Sequence, residues 1–309
     1  MFIIYINDLV NVCTNGSRVY LYADDAKIYK CIFDSSDELD LQQDLSSFQQ
    51  WSDKWLLKLN VNKCQSVSFG GDNVLRATYH LGNEVVQQAS SVKDLGVFFD
   101  KELRFSGHIN EKVAIAYRLL SLIRRNFRYL DVCSYVNLYK TLVRSHLEYC
   151  NAIWAPHRVG DIKTLERVQM RATKYIPGLH GLPYKERLKQ LNLPTLNYRR
   201  VRGDMILVYK VLHGLIDGAC ACHLPLSNLV HTRGNSYKLH QNLIKHSFTS
   251  HFFSNRVVKL WNSLPNNVVT ASSVHSFEHR LDTHWLNQDL VFNWHAVIAG
   301  TGDRSHLNC

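Results

Sequence analysis

Asp24 and Asp25 stand side by side between two stretches that read as strands, Arg18-Val19-Tyr20-Leu21 before them and Ala26-Lys27-Ile28-Tyr29 after. The order strand, acidic pair, strand predicts a β-hairpin whose tip, Tyr22-Ala23-Asp24-Asp25, carries two carboxylates on a stiff support. Hard oxygen donors held in this way suit a divalent cation such as Mg²⁺. An Asp pair is also ordinary turn chemistry, since Asp favours turns and tolerates left-handed backbone. The tetrapeptide alone does not choose between these readings.

The charge distribution narrows the choice. Residues 1–103 hold 9 Lys and Arg against 14 Asp and Glu, whereas residues 104–213 hold 20 against 7 and residues 214–309 hold 7 against 5. An acidic segment bearing the Asp pair is thus followed by a strongly basic one. That polarity suits metal binding in one place and phosphate-backbone contact in another, although a basic helical region can also be a plain solvated surface. With 309 residues, 46% of them hydrophobic, the chain is long enough for two or three domains with real cores. No apolar run reaches the ~18 residues of a membrane span. The apolar start, Met1 to Ile6, has no basic lead and meets Asn7-Asp8 at once, which is unlike a signal peptide. Eight scattered cysteines suit a reducing compartment, so an intracellular location, nucleus or cytoplasm, is expected.

Local signals predict the elements. Asn15-Gly16 is a turn before the first strand, and Ser35 with Glu38 forms a capping box for a helix carrying Leu41, Leu45, Phe48 and Trp55 on one face. That helix is expected to end near Trp55–Lys58, and Ser66-Val67-Ser68-Phe69, Arg76–Leu81 and Leu95–Phe99 read as strand pieces. From Ser106 the pattern turns helical. One stripe holds Ile109, Val113, Ala116, Leu120, Ile123 and Phe127; a second helix is capped by Asp131; a third holds Leu165, Val168 and Ala172. Pro183 opens a short helix, and Pro194 sits in the first turn of another that ends at Gly214. Two more helices are expected around Val257–Trp261 and Val274–Leu281, with Ala219–Gly234 as a loop. The fold class is α+β: strands with a covering helix, then a mainly helical remainder.

Several ordered segments carry a family resemblance. Phe2-Ile3-Ile4-Tyr5-Ile6-Asn7-Asp8-Leu9 followed by Leu21-Tyr22-Ala23-Asp24-Asp25 resembles the reverse transcriptase of non-LTR (LINE-type, jockey- or CR1-like) retrotransposons. So do Leu41-Gln42-Gln43-Asp44-Leu45 with Trp51 and Trp55, Leu59-Asn60-Val61-Asn62-Lys63-Cys64, Lys93-Asp94-Leu95-Gly96-Val97 and Phe105-Ser106-Gly107-His108-Ile109. Further similar runs are Leu138-Tyr139-Lys140 to Leu147-Glu148-Tyr149, Leu165 to Gln169, and Arg256 to Pro265. The resemblance implies a partial polymerase palm over 1–103, with a catalytic hairpin and a primer-grip-like hairpin. It implies a thumb-like helical region over 104–155, a basic helical region over 156–214, and a C-terminal region of unclear role over 215–309. In that family the fingers, the first catalytic aspartate and the nucleotide-pocket segment precede the part matched here, and an endonuclease domain lies further upstream. The expectation is a C-terminal part of such a polymerase, inactive alone.

By the same resemblance the activity is RNA-directed DNA polymerisation, with RNA template, DNA primer and dNTP as partners and Mg²⁺ as cofactor. Asp24 is then the direct metal ligand and Asp25 the supporting carboxylate, with Tyr22 and Ala23 shaping the hairpin. Lys63 is either a general acid toward departing pyrophosphate or a solvated turn lysine. Leu95 and Gly96 would present backbone to the primer. Lys112, Arg118, Arg124, Arg125 and Arg128, interleaved with Tyr117 and Tyr129, are candidate contacts to the nucleic-acid backbone, and Arg199, Arg200 and Arg202 form a second basic cluster. Cys220-Ala221-Cys222-His223 is too tight for four-ligand zinc spacing, and His275, His279 and His284 read as surface, so no zinc is expected. The competing readings are a non-catalytic module that grips RNA or RNA–DNA hybrid, and an inert remnant of a mobile element.

Overall fold

The computed structural model describes residues 5–70, 77–127, 129–216, 223–227, 235–243 and 247–300. Arg76, Arg128 and Cys220-Ala221-Cys222, singled out above, lie outside the described residues. The chain divides into two compact units, Met1–Phe105 and Ser106–Cys309. No helix among the described residues is long and apolar enough to cross a membrane.

The first unit opens with a 3₁₀ turn, Asn7–Asn11, and the antiparallel hairpin β1 (Arg18–Tyr22) and β2 (Asp25–Tyr29). Alternation places Val19, Leu21 and Ile28 on one face, where they pack with Ile6, Leu9, Phe48 and Trp51. Phe48 and Trp51 come from helix α1 (Ser35–Lys54), which covers that face. The helix starts one residue earlier than the capping box suggests. Asp34 is the N-cap and accepts from the N–H of Ser36 (2.8 Å) and Asp37 (3.2 Å), while the Asp37 carboxylate accepts from the Phe33 N–H (2.9 Å). Its inward face is Asp44, Phe48, Trp51 and Ser52 rather than the leucine stripe, since Leu41 and Leu45 are only half-buried.

Small ladders follow. β3 (Gln65–Ser66) pairs in parallel with β6 (Gln87–Gln88), and β4 (His80–Leu81) pairs with β5 (Glu84–Val85). Of the strand expected over Ser66–Phe69 only Ser66 lies in a strand, since the ladder pairs Gln65 and Ser66 alone. β7 (Ser91–Asp94) and β8 (Val97–Asp100) form a second hairpin. Leu95 (φ 43°) and Gly96 (φ 83°) make its two-residue loop, so Leu95 does not begin a strand. Each of the four ladders has two strands.

The second unit is helical. α2 (Ser106–Asn126) buries Ile109, Val113, Ala116, Leu120 and Ile123, while Phe127 stays exposed beyond its end. α3 (Val132–Leu138), capped by Asp131, runs into a π-helical segment, Tyr139–Arg144, and then α4 (Ser145–Glu148). Tyr139, Val143 and Leu147, spaced by four along this run, are all buried. α5 (Asn151–Trp154), α6 (Val159–Lys174), α7 (Tyr184–Leu191) and α8 (Leu196–Leu212) follow, the last capped by the Thr195 hydroxyl, so that Pro194 precedes the cap and is not in the first turn. α2 packs against the π segment, α4 and α6.

Residues beyond 235 join α8 in an extensive apolar cluster. Helices α9 (Phe253–Ser263), α10 (Asn266–Val269) and α11 (Val274–His284) supply Val257, Trp261, Val268, Val269, Phe277 and Leu281, with Met205, Val208 and Tyr209 facing them from α8. Trp285, Leu290 and Ile298 close the cluster, so the tail after Trp294 is core-forming as far as Ile298.

Candidate functional site

The tip of the first hairpin follows from its register. Tyr22 pairs with Asp25, leaving Ala23 and Asp24 as the two-residue loop. Ala23 takes φ 54°, the left-handed region such loops demand. Tyr22, Ala23, Asp24 and Asp25 are all exposed. Directly opposed residues share a face, so Asp25 lies on the outer face with Tyr22, Tyr20, Lys27, Arg18 and Tyr29. The rings of Tyr20 and Tyr29 stack there at 5.7 Å. Lys27 donates to Asp94 (2.5 Å), which ties this face to the rim of the Leu95-Gly96 loop.

The acidic residues near the hairpin in sequence are otherwise engaged or apart. Asp34 caps α1, Asp40 pairs with Lys30 (2.6 Å), Asp37 lies 3.5 Å from the same amine, and Asp8 is exposed in the 3₁₀ turn. Among the described residues no three His, Cys, Asp or Glu side chains come close enough to hold a metal ion. Asp24 and Asp25 are a hard-oxygen pair of the kind Mg²⁺ accepts, since that ion completes its octahedron with water and substrate phosphate. Lys63 sits exposed at the end of the 3₁₀ turn Val61–Lys63, and no hydrogen bond or ion pair joins it to the Asp pair. His275 and His279 lie exposed on α11.

The residue that sets the hairpin's approach is one the sequence reading did not assign. Asp44 is fully buried on α1, and its carboxylate accepts from the backbone N–H of Thr14 (3.0 Å), Asn15 (3.1 Å) and Ser17 (3.3 Å) and from the Asn15 side chain (3.1 Å). Burial raises its carboxyl's pKa, but the hydrogen bonds from Ser17, Asn15 and Thr14 outweigh that and hold it below the usual value. Asp44 thus clamps the Asn15-Gly16 turn, with Gly16 at φ 86°, on the helix that backs β1.

The basic candidates separate into two groups. Arg118, Arg124 and Arg125 are exposed on α2, and Arg118 and Arg125 line a shallow hollow of about 380 Å³ with Tyr117, Ser121 and Leu122. Lys112, expected on that surface, lies on the inner side of the helix beside His108 and is buried. The 199–202 cluster is not a solvent-facing patch. Arg199 makes a bidentate pair with Glu148, Arg202 one with Asp282 (2.6 and 2.8 Å), and Arg200 is only 3% exposed. Nearby, Arg256 bridges Asp204 (2.9 and 3.0 Å) and the Ala152 carbonyl (2.8 Å). These guanidiniums lock α8 to its neighbours.

Comparison with known proteins gives the same direction. The chain is 27% identical over 221 residues to the RNA-directed DNA polymerase from mobile element jockey of Drosophila funebris, covering 68% of this chain and 23% of that protein. It is 25% identical over 156 residues to the Drosophila melanogaster jockey polymerase, covering 49% of this chain and 16% of that protein. It is 26% identical over 173 residues to the probable RNA-directed DNA polymerase from transposon X-element of Drosophila melanogaster, covering 52% and 18%. The chain thus spans less than a quarter of the length of these relatives. No family profile and no solved structure matches. Over the matched stretches this chain is a homologue of the RNA-directed DNA polymerases of non-LTR, LINE-type mobile elements.

Proposed function

We propose that the chain is a reverse transcriptase-like segment, with residues 1–103 as part of a palm, 104–155 as thumb-like and 156–214 as a basic helical support. The observation that carries this reading is the exposed Asp24–Asp25 tip on a two-residue hairpin loop, in a chain whose relatives are named as RNA-directed DNA polymerases. The reaction class is attack of a primer 3′-hydroxyl on the α-phosphate of a dNTP, with release of pyrophosphate. Asp24 and Asp25 would hold Mg²⁺, which when bound neutralises charge developing on the transferred phosphate. Asp44 fixes the height of the hairpin, and Lys27 holds the Asp94 rim so that Leu95 and Gly96 flank the outer face. Lys63 would offer a cation to the leaving group. Two carboxylates, without a third beside them among the described residues, bind the ion weakly, so turnover by this chain alone is expected to be low.

The second reading is a non-catalytic binder of RNA or RNA–DNA hybrid, favoured by the exposed Arg118, Arg124 and Arg125. Primer extension on a poly-rA/oligo-dT duplex with Mg²⁺ tests the first. Extension that disappears in Asp24→Asn supports polymerisation at this tip. Extension unchanged in that variant overturns it. No extension from either, with hybrid binding that weakens steeply as salt rises, favours the binding module.

A further inference from the structure

The ends of α2 and α6 carry an arrangement of cations that neither helix needs for packing. Arg171 donates its Nε–H to the Tyr175 hydroxyl (2.7 Å) and lies over two rings, Tyr117 (5.3 Å) and Tyr175 (6.0 Å). Arg124, from α2, lies over the same Tyr175 ring at 4.9 Å. Arg124, Tyr175, Arg171 and Tyr117 therefore form a ladder of alternating guanidinium and ring. Around it, Arg124, Arg171, Lys174, Tyr175 and His180 line an open hollow of about 450 Å³, and Tyr117 belongs also to the hollow of Arg118 and Arg125.

Some long cations elsewhere in this unit find carboxylates: Arg199 pairs with Glu148, Arg202 with Asp282, Arg256 with Asp204 and Lys185 with Asp289. Among the described residues no carboxylate pairs with Arg124, Arg171 or Lys174. Two guanidiniums share one ring with nothing to offset their repulsion. Cations in a last helical turn do answer the helix dipole, but that attraction needs neither the shared ring nor the tether to Tyr175. The tether matters for binding. A surface arginine ordinarily gives up much side-chain freedom to grip an anion, whereas Arg171 is already held, with its terminal amines turned to no partner among the described residues.

We propose that this ladder is a preformed receptor for phosphate, taking the backbone of a single-stranded polynucleotide, with Arg171 and Arg124 as paired donors, Lys174 as a point charge and the tyrosine rings holding the guanidiniums in place. It shares Arg124 with the binding-module reading, which it deepens and on which it rests, and uses no residue of the Asp24–Asp25 hairpin, so its failure leaves the polymerase reading untouched, and the reverse.

The test is binding of a fluorescein-labelled oligo(U) RNA to the full chain across a salt series, with Arg171→Gln compared against Lys259→Gln, an exposed cation on α9. Arg171→Gln is expected to weaken binding about fivefold at 0.1 M salt and to flatten the log–log salt slope by about 0.7, one single-strand phosphate contact, while Lys259→Gln changes neither. Equal losses in both variants would reduce the effect to overall charge and overturn the proposal; so would no loss in Arg171→Gln. Inorganic phosphate then distinguishes the source. Displacement of RNA no better than by chloride at equal ionic strength assigns the site to a polymer backbone. Displacement at lower ionic strength assigns it to a small phosphate-bearing ligand.

Discussion

Three backbone N–H groups, those of Thr14, Asn15 and Ser17, converge on the single buried carboxylate of Asp44. Asp44→Ala strands all three, and a buried donor left unsatisfied costs about 1–3 kcal/mol, so the first unit should lose about 3 kcal/mol or more. Urea unfolding and faster amide exchange at Thr14–Ser17 would show it. Because its carboxyl lies below the ordinary value in the fold, the contribution of Asp44 is present above pH about 4 and lost as pH falls through the folded value. His108 acts in the same sense by another cause. Burial, helped by the Lys112 charge, lowers its pKa to about 4, so the fold favours the neutral ring. Its stabilisation is complete above pH 6.5 and declines between pH 6.5 and about 4, by up to about 3 kcal/mol. Thermal melting should fall over that window, and His108→Gln should flatten the fall. Neither residue announces itself in the sequence. A lone Asp within a helical pattern reads as solvent-facing, and its partners lie 27 to 30 positions away. The same distance effect misleads at Arg199 and Arg202, whose carboxylates are 51 and 80 positions off.

The hairpins that turn at Ala23-Asp24 and at Leu95-Gly96 have two-residue loops whose chemistry differs from what such loops favour. Leu95 and Gly96 both have positive φ, the combination for which Asn-Gly is preferred. Leu95→Asn should therefore stabilise the hairpin, by about 1 kcal/mol, read as a higher melting temperature. Ala23→Gly should relieve similar strain beside Asp24 by a smaller net amount, since glycine also frees the unfolded chain. The Asp hairpin is legible because alternation and the Asp pair agree; Leu95 is misread because an apolar residue before Gly-Val-Phe-Phe looks like strand. Helix α2 was legible throughout its stripe, from Ile109 to Ile123, since one face meets the core along its whole length. The π segment was not, as apolar residues spaced by four suit an ordinary helix equally well.

At the scale of the whole chain, the region least readable in sequence supplies much of an extensive apolar cluster. Residues beyond 235 show few repeats of pattern because they fold as short helices, each contributing one or two large side chains to a shared interior. Trp261 is fully buried and donates to the Tyr237 carbonyl (2.7 Å), so Trp261→Ala should cost about 3–5 kcal/mol and lower the melting temperature of the second unit. The boundary between the units falls at Phe105, and both Leu103 (φ 53°) and Phe105 (φ 60°) hold left-handed backbone there. Residues 1–105 carry 10 Lys and Arg against 14 Asp and Glu, and residues 106–309 carry 26 against 12. A single proteolytic cut in this connection would therefore create two polypeptides that migrate toward opposite electrodes in a native gel at pH 7. A nicked sample still running as one band would report that the halves hold together without the chain between them.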